Sequence, residues 1–310
     1  MVVSLGGAGV LLSIVDHIGN TPLVRLDRVV RGVVPDGVEV WAKLEWFNPG
    51  GSVKDRAAKA IILAAEAAGK LTEGRRILDS SSGNTGIAYG MIAAARGHQL
   101  TLCLPKNANR ERKRILAAYG VEVVETDPLE GSDGAIRKAR ELAASEPDRY
   151  VYVDQYSNEA NPMAHQHTTA EEIWRQTNGT VTHFVATLGT SGTFVGTTRG
   201  LRARKPAIEA WSIQPDGPFH GLEGLKHMET AIVPAIYDST LATGDLAAPT
   251  EDSITFVRRL AREEGLLTGI SSGAALWGAI EVARGIERGV VVTLFPDGGE
   301  RYLSEEHVWA

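Results

Sequence analysis

The sequence holds a single cysteine, Cys103, so no disulfide can form within the chain. It lies in the apolar run Leu100-Thr101-Leu102-Cys103-Leu104, where a buried, unreactive thiol is expected. That usage fits a reducing, cytoplasmic setting. Charge of one sign never gathers in a long block and the formal net charge is −6, so there is no electrostatic footprint for nucleic acid. No run approaches the ~20 apolar residues of a membrane span. The opening, 1–15, is rich in Gly and Val and lacks a basic start and a small-residue cleavage site, so no signal peptide is expected. Internal repeats and low-complexity tracts are missing. No dinucleotide fingerprint stands near the first strand, which argues against a Rossmann-type dehydrogenase.

What is present is an alternation of short β-rich runs and longer helical patterns. Of the 310 residues 43% are hydrophobic, enough for one large core or two lobes sharing a cleft. Strands are expected over 38–44, 77–79, 99–104, 121–125, 150–153, 183–188, 208–213 and 290–295. Helices are expected over 53–68, capped by Ser52 and stopped by Gly69, and over the Ala-rich segment ending at Gly97. Further helices are expected over 109–119, 132–144, 164–177, 253–264 and 274–284, with one more after the Gly/Thr loop near 190. Residues 214–252, rich in Gly and Pro, read as irregular loop over a site. The pattern is that of an α/β fold with mostly parallel sheets, in which ligands sit beyond the carboxyl ends of the strands.

Four loops carry unusual chemistry. In Asn48-Pro49-Gly50-Gly51-Ser52-Val53-Lys54-Asp55-Arg56, Lys54 falls at a helix start, where the dipole disfavours a cation. It is either a surface lysine or an amine kept neutral for Schiff-base chemistry. Ser80-Ser81-Ser82-Gly83-Asn84-Thr85-Gly86 offers hydroxyls, an amide and helix-start N–H groups, which make either an anion cradle or an elaborate cap. Gly189-Thr190-Ser191-Gly192-Thr193 has glycines and hydroxyls suited to a phosphate monoester but no Walker lysine. Gly269-Ile270-Ser271-Ser272-Gly273 and the segment Pro296-Asp297-Gly298-Gly299-Glu300-Arg301-Tyr302 read locally as a cap and a turn.

From Ile18 nearly to the end, the order and wording of these segments resemble the cysteine synthase family (O-acetylserine and O-phosphoserine sulfhydrylases). These are fold-type II, tryptophan-synthase-β-like enzymes that depend on pyridoxal 5′-phosphate. Ile18-Gly19-Asn20-Thr21-Pro22-Leu23-Val24 resembles the family's opening signature. The resemblance implies two lobes, a larger one of 1–47 and 156–310 and a smaller, mobile one of 48–155, with the active site between them. It implies that Lys54 holds the cofactor and later moves protons at the substrate α-carbon, and that Asn84 hydrogen-bonds the cofactor's 3′ oxygen. Gly189, Thr190, Ser191, Gly192 and Thr193 would bind its phosphate, and Ser271 would face its ring nitrogen. Ser81, Ser82, Thr85 and Gln155 would hold the substrate carboxylate. The implied reaction is β-replacement through an aminoacrylate, forming L-cysteine from O-acetylserine or O-phosphoserine and a sulfide or carrier-protein thiocarboxylate. A homodimer is implied by the same resemblance.

Departures are few. Ser81 stands where many relatives have Thr and keeps the hydroxyl; Glu159 replaces a common Pro, read as a surface change. The stretch His220-Gly221-Leu222-Glu223-Gly224-Leu225-Lys226-His227-Met228 looks more like the phosphoserine-using branch, though that branch commonly has Arg where Lys226 stands. Lys226 is either a solvated loop lysine or a point charge for the substrate phosphate. The aromatic end, His307-Val308-Trp309-Ala310, could gate the site, but is expected either to dock on the protein's own surface or to be unordered. His165 and His167, spaced i, i+2, fall on different helix faces, so no metal site is expected. Cystathionine β-synthase, a diaminopropionate-forming relative and a cofactor-free scaffold are the rival readings.

Overall fold

The computed structural model describes residues 13–309. Its strands are β1 (Leu23–Leu26), β2 (Val38–Leu44), β3 (Arg76–Ser80), β4 (Leu100–Pro105), β5 (Glu122–Thr126), β6 (Tyr150–Tyr152), β7 (His183–Thr187), β8 (Glu209–Pro215), β9 (Gly244–Ala248) and β10 (Gly289–Phe295). Its helices are α1 (Lys54–Ala67), α2 (Asn84–Arg96), α3 (Arg110–Ala118), α4 (Gly131–Ser145), α5 (Ala160–Ala164), α6 (Ala170–Gln176), α7 (Gly192–Arg204), α8 (Thr250–Arg259), α9 (Ile270–Arg284) and α10 (Glu306–Trp309). A π-turn, His165–Thr169, joins α5 to α6.

The strands form two sheets. One has the order β1-β2-β10-β7-β8-β9, the other β5-β4-β3-β6. Every pairing is parallel except β1 with β2. Both faces of each sheet are covered, which is why the central strands read as near-continuous apolar runs. In the four-stranded sheet Ile77, Leu100, Leu102 and Leu104 pack with Ile61 and Ile62 of α1 and with Ala88 and Ile92 of α2. Leu78 and Cys103 turn to the opposite face, against Ala135 and Ala139 of α4. Cys103 is buried there, and burial pushes its thiol up to about 12, so it is inert. In the six-stranded sheet Phe184 and Ala186 face Phe194 and Val195 of α7, while Val185 faces Ala274 and Ala275 of α9. The period-two split places α7 and α9 on opposite faces.

Three expectations are corrected. Residues 214–252 are not wholly irregular, because β9 closes an edge of the larger sheet, with Trp211 opposite Gly244 and Ile213 opposite Leu246. Gly-Asp-Leu-Ala-Ala carries little β-propensity and is half exposed, as an edge allows. The same stretch also sends Leu222, Leu225 and Met228 into the cores. Helix α9 starts at Ile270 rather than 274, so the Ile-Ser-Ser-Gly segment is its first turn. Helix α1 starts at Lys54 with no side-chain cap on its N-cap residue Val53, although Ser52 Oγ accepts the Lys54 N–H at 3.2 Å.

Candidate active site

The carboxyl ends of β3, β4, β6, β7 and β10 open onto one cavity. It is lined by Lys54, 80–85, Gln155, Gly189, Thr190, Ser191, Thr193, Lys226, Ser271 and Asp297, among others. Every site residue read from the sequence lines it except Gly192.

Lys54 is half-buried, and its amine has neither a hydrogen bond nor an ion pair among the described residues. Burial holds its pKa below the usual lysine value, against the pull of the Asp297 and Glu45 carboxylates. Its backbone is pinned from two residues away. The Arg56 guanidinium meets Glu45 at 2.7 Å and Glu172 at 2.7 Å, and Glu172 also pairs with fully buried Lys43 at 2.7 Å. Burial pushes the Glu172 carboxyl up, but Arg56 and Lys43 outweigh it and hold it at about 2. Two cations and two anions thus satisfy one another where a single buried charge would not be tolerated. They tie the first turn of α1 to β2 and α6.

The Ser/Gly loop divides its labour. Ser81 Oγ accepts the N–H groups of Gly83 at 3.3 Å and Gly86 at 3.0 Å, shaping the loop itself. Thr85 donates its hydroxyl to Gln155 Oε1 at 2.8 Å, and Gln155 Nε2 donates to the Ser80 carbonyl at 2.9 Å. One Gln155 N–H therefore stays available. So do the Ser82 hydroxyl and the first N–H groups of α2, which have no acceptor within the helix.

In the Gly/Thr loop Ser191 is the N-cap of α7 and adopts a left-handed φ of 69°. Its buried hydroxyl has no hydrogen-bond partner. Thr190 Oγ1 accepts from Asn161 Nδ2 at 3.1 Å, which leaves its own proton free to donate. Thr193 Oγ1 contacts His165 Nε2 at 3.2 Å. Burial holds His165 down at about 3, so the imidazole is neutral. Gly192 supports the loop from behind, since a Cβ there would stand 2.0 Å from Asn161 Oδ1. His167 is exposed on another face, and among the described residues no group of three or more His, Cys, Asp or Glu could hold a metal ion.

Across the cavity lie Lys226 and the turn 296–302, both noted in the sequence without a settled role, and Arg112, which was not singled out. The turn 296–302 is part of the site: Asp297 is buried, and its Oδ2 accepts from Asn84 Nδ2 and from Tyr302 OH, each at 2.7 Å. Arg301 donates to Asn84 Oδ1 and to the Gly50 carbonyl. Arg112 of α3 lies 5.7 Å above the Tyr302 ring and pairs with Glu223. Lys226 is not a solvated loop lysine. It is buried, 3.4 Å from Asp133 of α4 and 5.2 Å above the Tyr156 ring. Nothing in the local spelling marks Asp297 or Arg112, because their role is set by strands and helices that meet only in the fold. Val308 is buried and Trp309 Nε1 donates to the Tyr302 carbonyl at 2.7 Å, so helix α10 docks on the protein's own surface, while Ala310 lies outside the described residues.

A partnerless amine shifted toward neutrality suits condensation with an aldehyde. A helix N-terminus with an orphaned buried hydroxyl suits a phosphate. Both in one cavity fit pyridoxal phosphate. A family model described as pyridoxal-phosphate dependent enzyme matches residues 14–297. The chain is similar to the cysteine synthase of Aquifex aeolicus (strain VF5), 50% identical over 296 residues, with 94% of this chain and 90% of that protein covered. Among solved structures it is similar to a cysteine synthase from Entamoeba histolytica, with a TM-score of 0.92 and 32% identity over 100% of this chain and 94% of that one. It is also similar to an O-acetylserine dependent cystathionine beta-synthase from Helicobacter pylori, with a TM-score of 0.89 and 36% identity over 96% of this chain and 98% of that one. The chain belongs to the pyridoxal-phosphate-dependent enzyme family and, within it, to the cysteine synthase group. Its fold is accordingly fold-type II. Among the described residues no helix is long and apolar enough to cross a membrane.

Proposed function

We propose that this enzyme forms L-cysteine by replacing the β-substituent of an O-activated serine with sulfur. The observation that carries the reading is the partnerless, neutral-leaning Lys54 in the same cavity as the Ser191 cup. Bound there, pyridoxal phosphate supplies an electron sink for the substrate α-carbon. Lys54 takes the α-proton, because burial keeps a share of its amine unprotonated. Gly189, Thr190, Ser191, Gly192 and Thr193 hold the phosphate, and Asn84 donates to the cofactor's 3′ oxygen. The α-carboxylate docks on Ser81, Ser82 and the α2 N-terminus, with Gln155 fixed beside it by Thr85. The hydroxyl of Ser271, unlike a carboxylate, does not enforce a protonated ring nitrogen. That favours loss of a β-leaving group over transamination or racemisation.

Two leaving groups fit the reading. The name of the Helicobacter pylori relative supports acetate, and buried Lys226 at the cavity wall supports phosphate. Sulfide or a carrier-protein thiocarboxylate serves as donor. The smaller lobe, 48–155, closes on the larger one to exclude water. A homodimer in the cytoplasm completes the proposal.

The protein is to be loaded with pyridoxal phosphate and its visible absorption followed on adding O-acetylserine or O-phosphoserine, with sulfide then supplied. A band that shifts with substrate and returns with sulfide as cysteine accumulates is expected, and the substrate that shifts it names the leaving group. Lys54→Ala should lose the cofactor on dialysis and lose activity by at least about 10²–10⁴-fold. A wild-type protein that retains no cofactor overturns the reading.

A further inference from the structure

The Asn84 side chain is met from both ends. Its Nδ2 donates to Asp297 Oδ2 at 2.7 Å, and its Oδ1 accepts from the Arg301 guanidinium. A carboxylate only accepts and a guanidinium only donates, so the amide has one orientation that satisfies both. Turned over, it would set its carbonyl against a carboxylate and its NH₂ against a cation. An amide without such neighbours turns at little cost. One hydrogen of the Asn84 NH₂ is taken by Asp297, and the second remains for a ligand in the cavity.

The two residues that impose this are themselves fixed. Asp297 Oδ2 also accepts from Tyr302 OH at 2.7 Å, and its backbone carbonyl accepts the Gly269 N–H at 3.1 Å. Its Oδ1 has no partner and packs against Gly269, where a Cβ would stand 2.0 Å away. Arg301 reaches with its other nitrogen to the Gly50 carbonyl, in the loop that leads to Lys54. The short turn after β10 thereby joins the starts of α1 and α2.

We propose that Asp297 and Arg301 are positioning residues that lock the Asn84 amide with its free N–H toward the bound cofactor, and that Asp297 does so as a hydrogen-bond acceptor rather than as a charge. The inference rests on the reading in which Asn84 donates to the cofactor's 3′ oxygen. Asparagine at 297 keeps an oxygen that can accept from both Asn84 and Tyr302. Leucine has nearly the same shape and no acceptor.

The test measures the dissociation constant of pyridoxal phosphate and the position of its visible band for wild type, Asp297→Asn, Asp297→Leu, Arg301→Met and Asn84→Ala. Asp297→Asn should keep the dissociation constant within about threefold and the band in place. Asp297→Leu and Arg301→Met should each weaken binding at least about tenfold and move the band, because each removes one of the two groups that hold the amide in place. Equal loss in Asp297→Asn and Asp297→Leu, or no loss in Asp297→Leu, overturns the proposal. Asn84→Ala is the separate check. If it leaves affinity and band unchanged, Asn84 does not touch the cofactor and the parent reading of this residue fails. Should Asp297→Leu not fold, Arg301→Met tests the same lock from the other end, and its indifference alone would overturn it.

Discussion

Asp55, next to Lys54, is buried with one carboxylate oxygen accepting the Gly50 N–H at 2.5 Å and the other without a partner. Burial pushes its carboxyl up to about 7, with Glu45 adding to the rise while the Gly50 N–H, Arg301 and Arg56 oppose it. The folded pKa lies above the unfolded value of 3.8, so the folded state holds the proton over a range where the unfolded chain has lost it. Stability from this group is full below about pH 4 and is lost as pH rises to about 7. Asp55→Asn keeps an acceptor for Gly50 and carries no charge. Its stability in urea, relative to wild type, should therefore climb between about pH 4 and 7 by up to a few kcal/mol and level off above. A difference that stays flat across that range would show that Asp55 remains ionised in the fold. Lys54 was legible in the sequence because a motif spells it. The state of its neighbour was not, since burial depends on segments far away in the chain.

At the scale of the element, α7 shows what a spacing can hide. Gly192, Gly196 and Gly200 recur every four residues and so share one helix face. A Cβ would stand 2.0 Å from Asn161 Oδ1 at the first, 1.9 Å from the Pro162 carbonyl at the second and 2.5 Å from the Ala170 Cβ at the third. The stripe lets α7 lie directly against the backbone of α5 and the π-turn, which is how Asn161 and His165 reach the Gly/Thr loop. Gly196→Ala should cost about 1–3 kcal/mol in thermal or urea unfolding and weaken cofactor binding as α7 is pushed away. Gly217→Ala, at a position with nothing within 4 Å, should do neither. Equal melting of the two variants would mean that the close approach is not needed. The spacing was present in the sequence, but Gly192 was read only as part of a phosphate loop, and Gly196 and Gly200 were not singled out. Nothing local states what lies opposite a helix face. Strand β9 was missed for a related reason, since its few apolar residues gain their pattern only by pairing with β8.

The whole molecule joins its two sheets across the cavity by ion pairs. Arg112 of α3 meets Glu223, and Asp133 of α4 meets Lys226, so helices beside the smaller sheet hold the stretch 220–228 that packs on the larger one. The alternation of strands and helices made the fold class legible, and the ordered loop motifs located most of the site. These pairs were not legible, because each brings together residues about a hundred positions apart, with no spacing to reveal it. They also bear on the choice of leaving group. Asp133 competes with any anion for Lys226, and a substrate phosphate has to displace it. Asp133→Asn removes the competitor, and the KM for O-phosphoserine should fall by about 1.5–5-fold, the range of a partly exposed ion pair. Lys226→Ala should raise that KM on the order of tenfold. Both variants should leave the KM for O-acetylserine within about twofold, and added salt should shrink the phosphoserine effects while sparing acetylserine. Opposite shifts in the two variants, confined to the phosphorylated substrate, assign Lys226 to the phosphate. Shifts of the same sign with both substrates would mean that the pair acts by holding the stretch 220–228 in place, and Lys226 would have no part in choosing the leaving group.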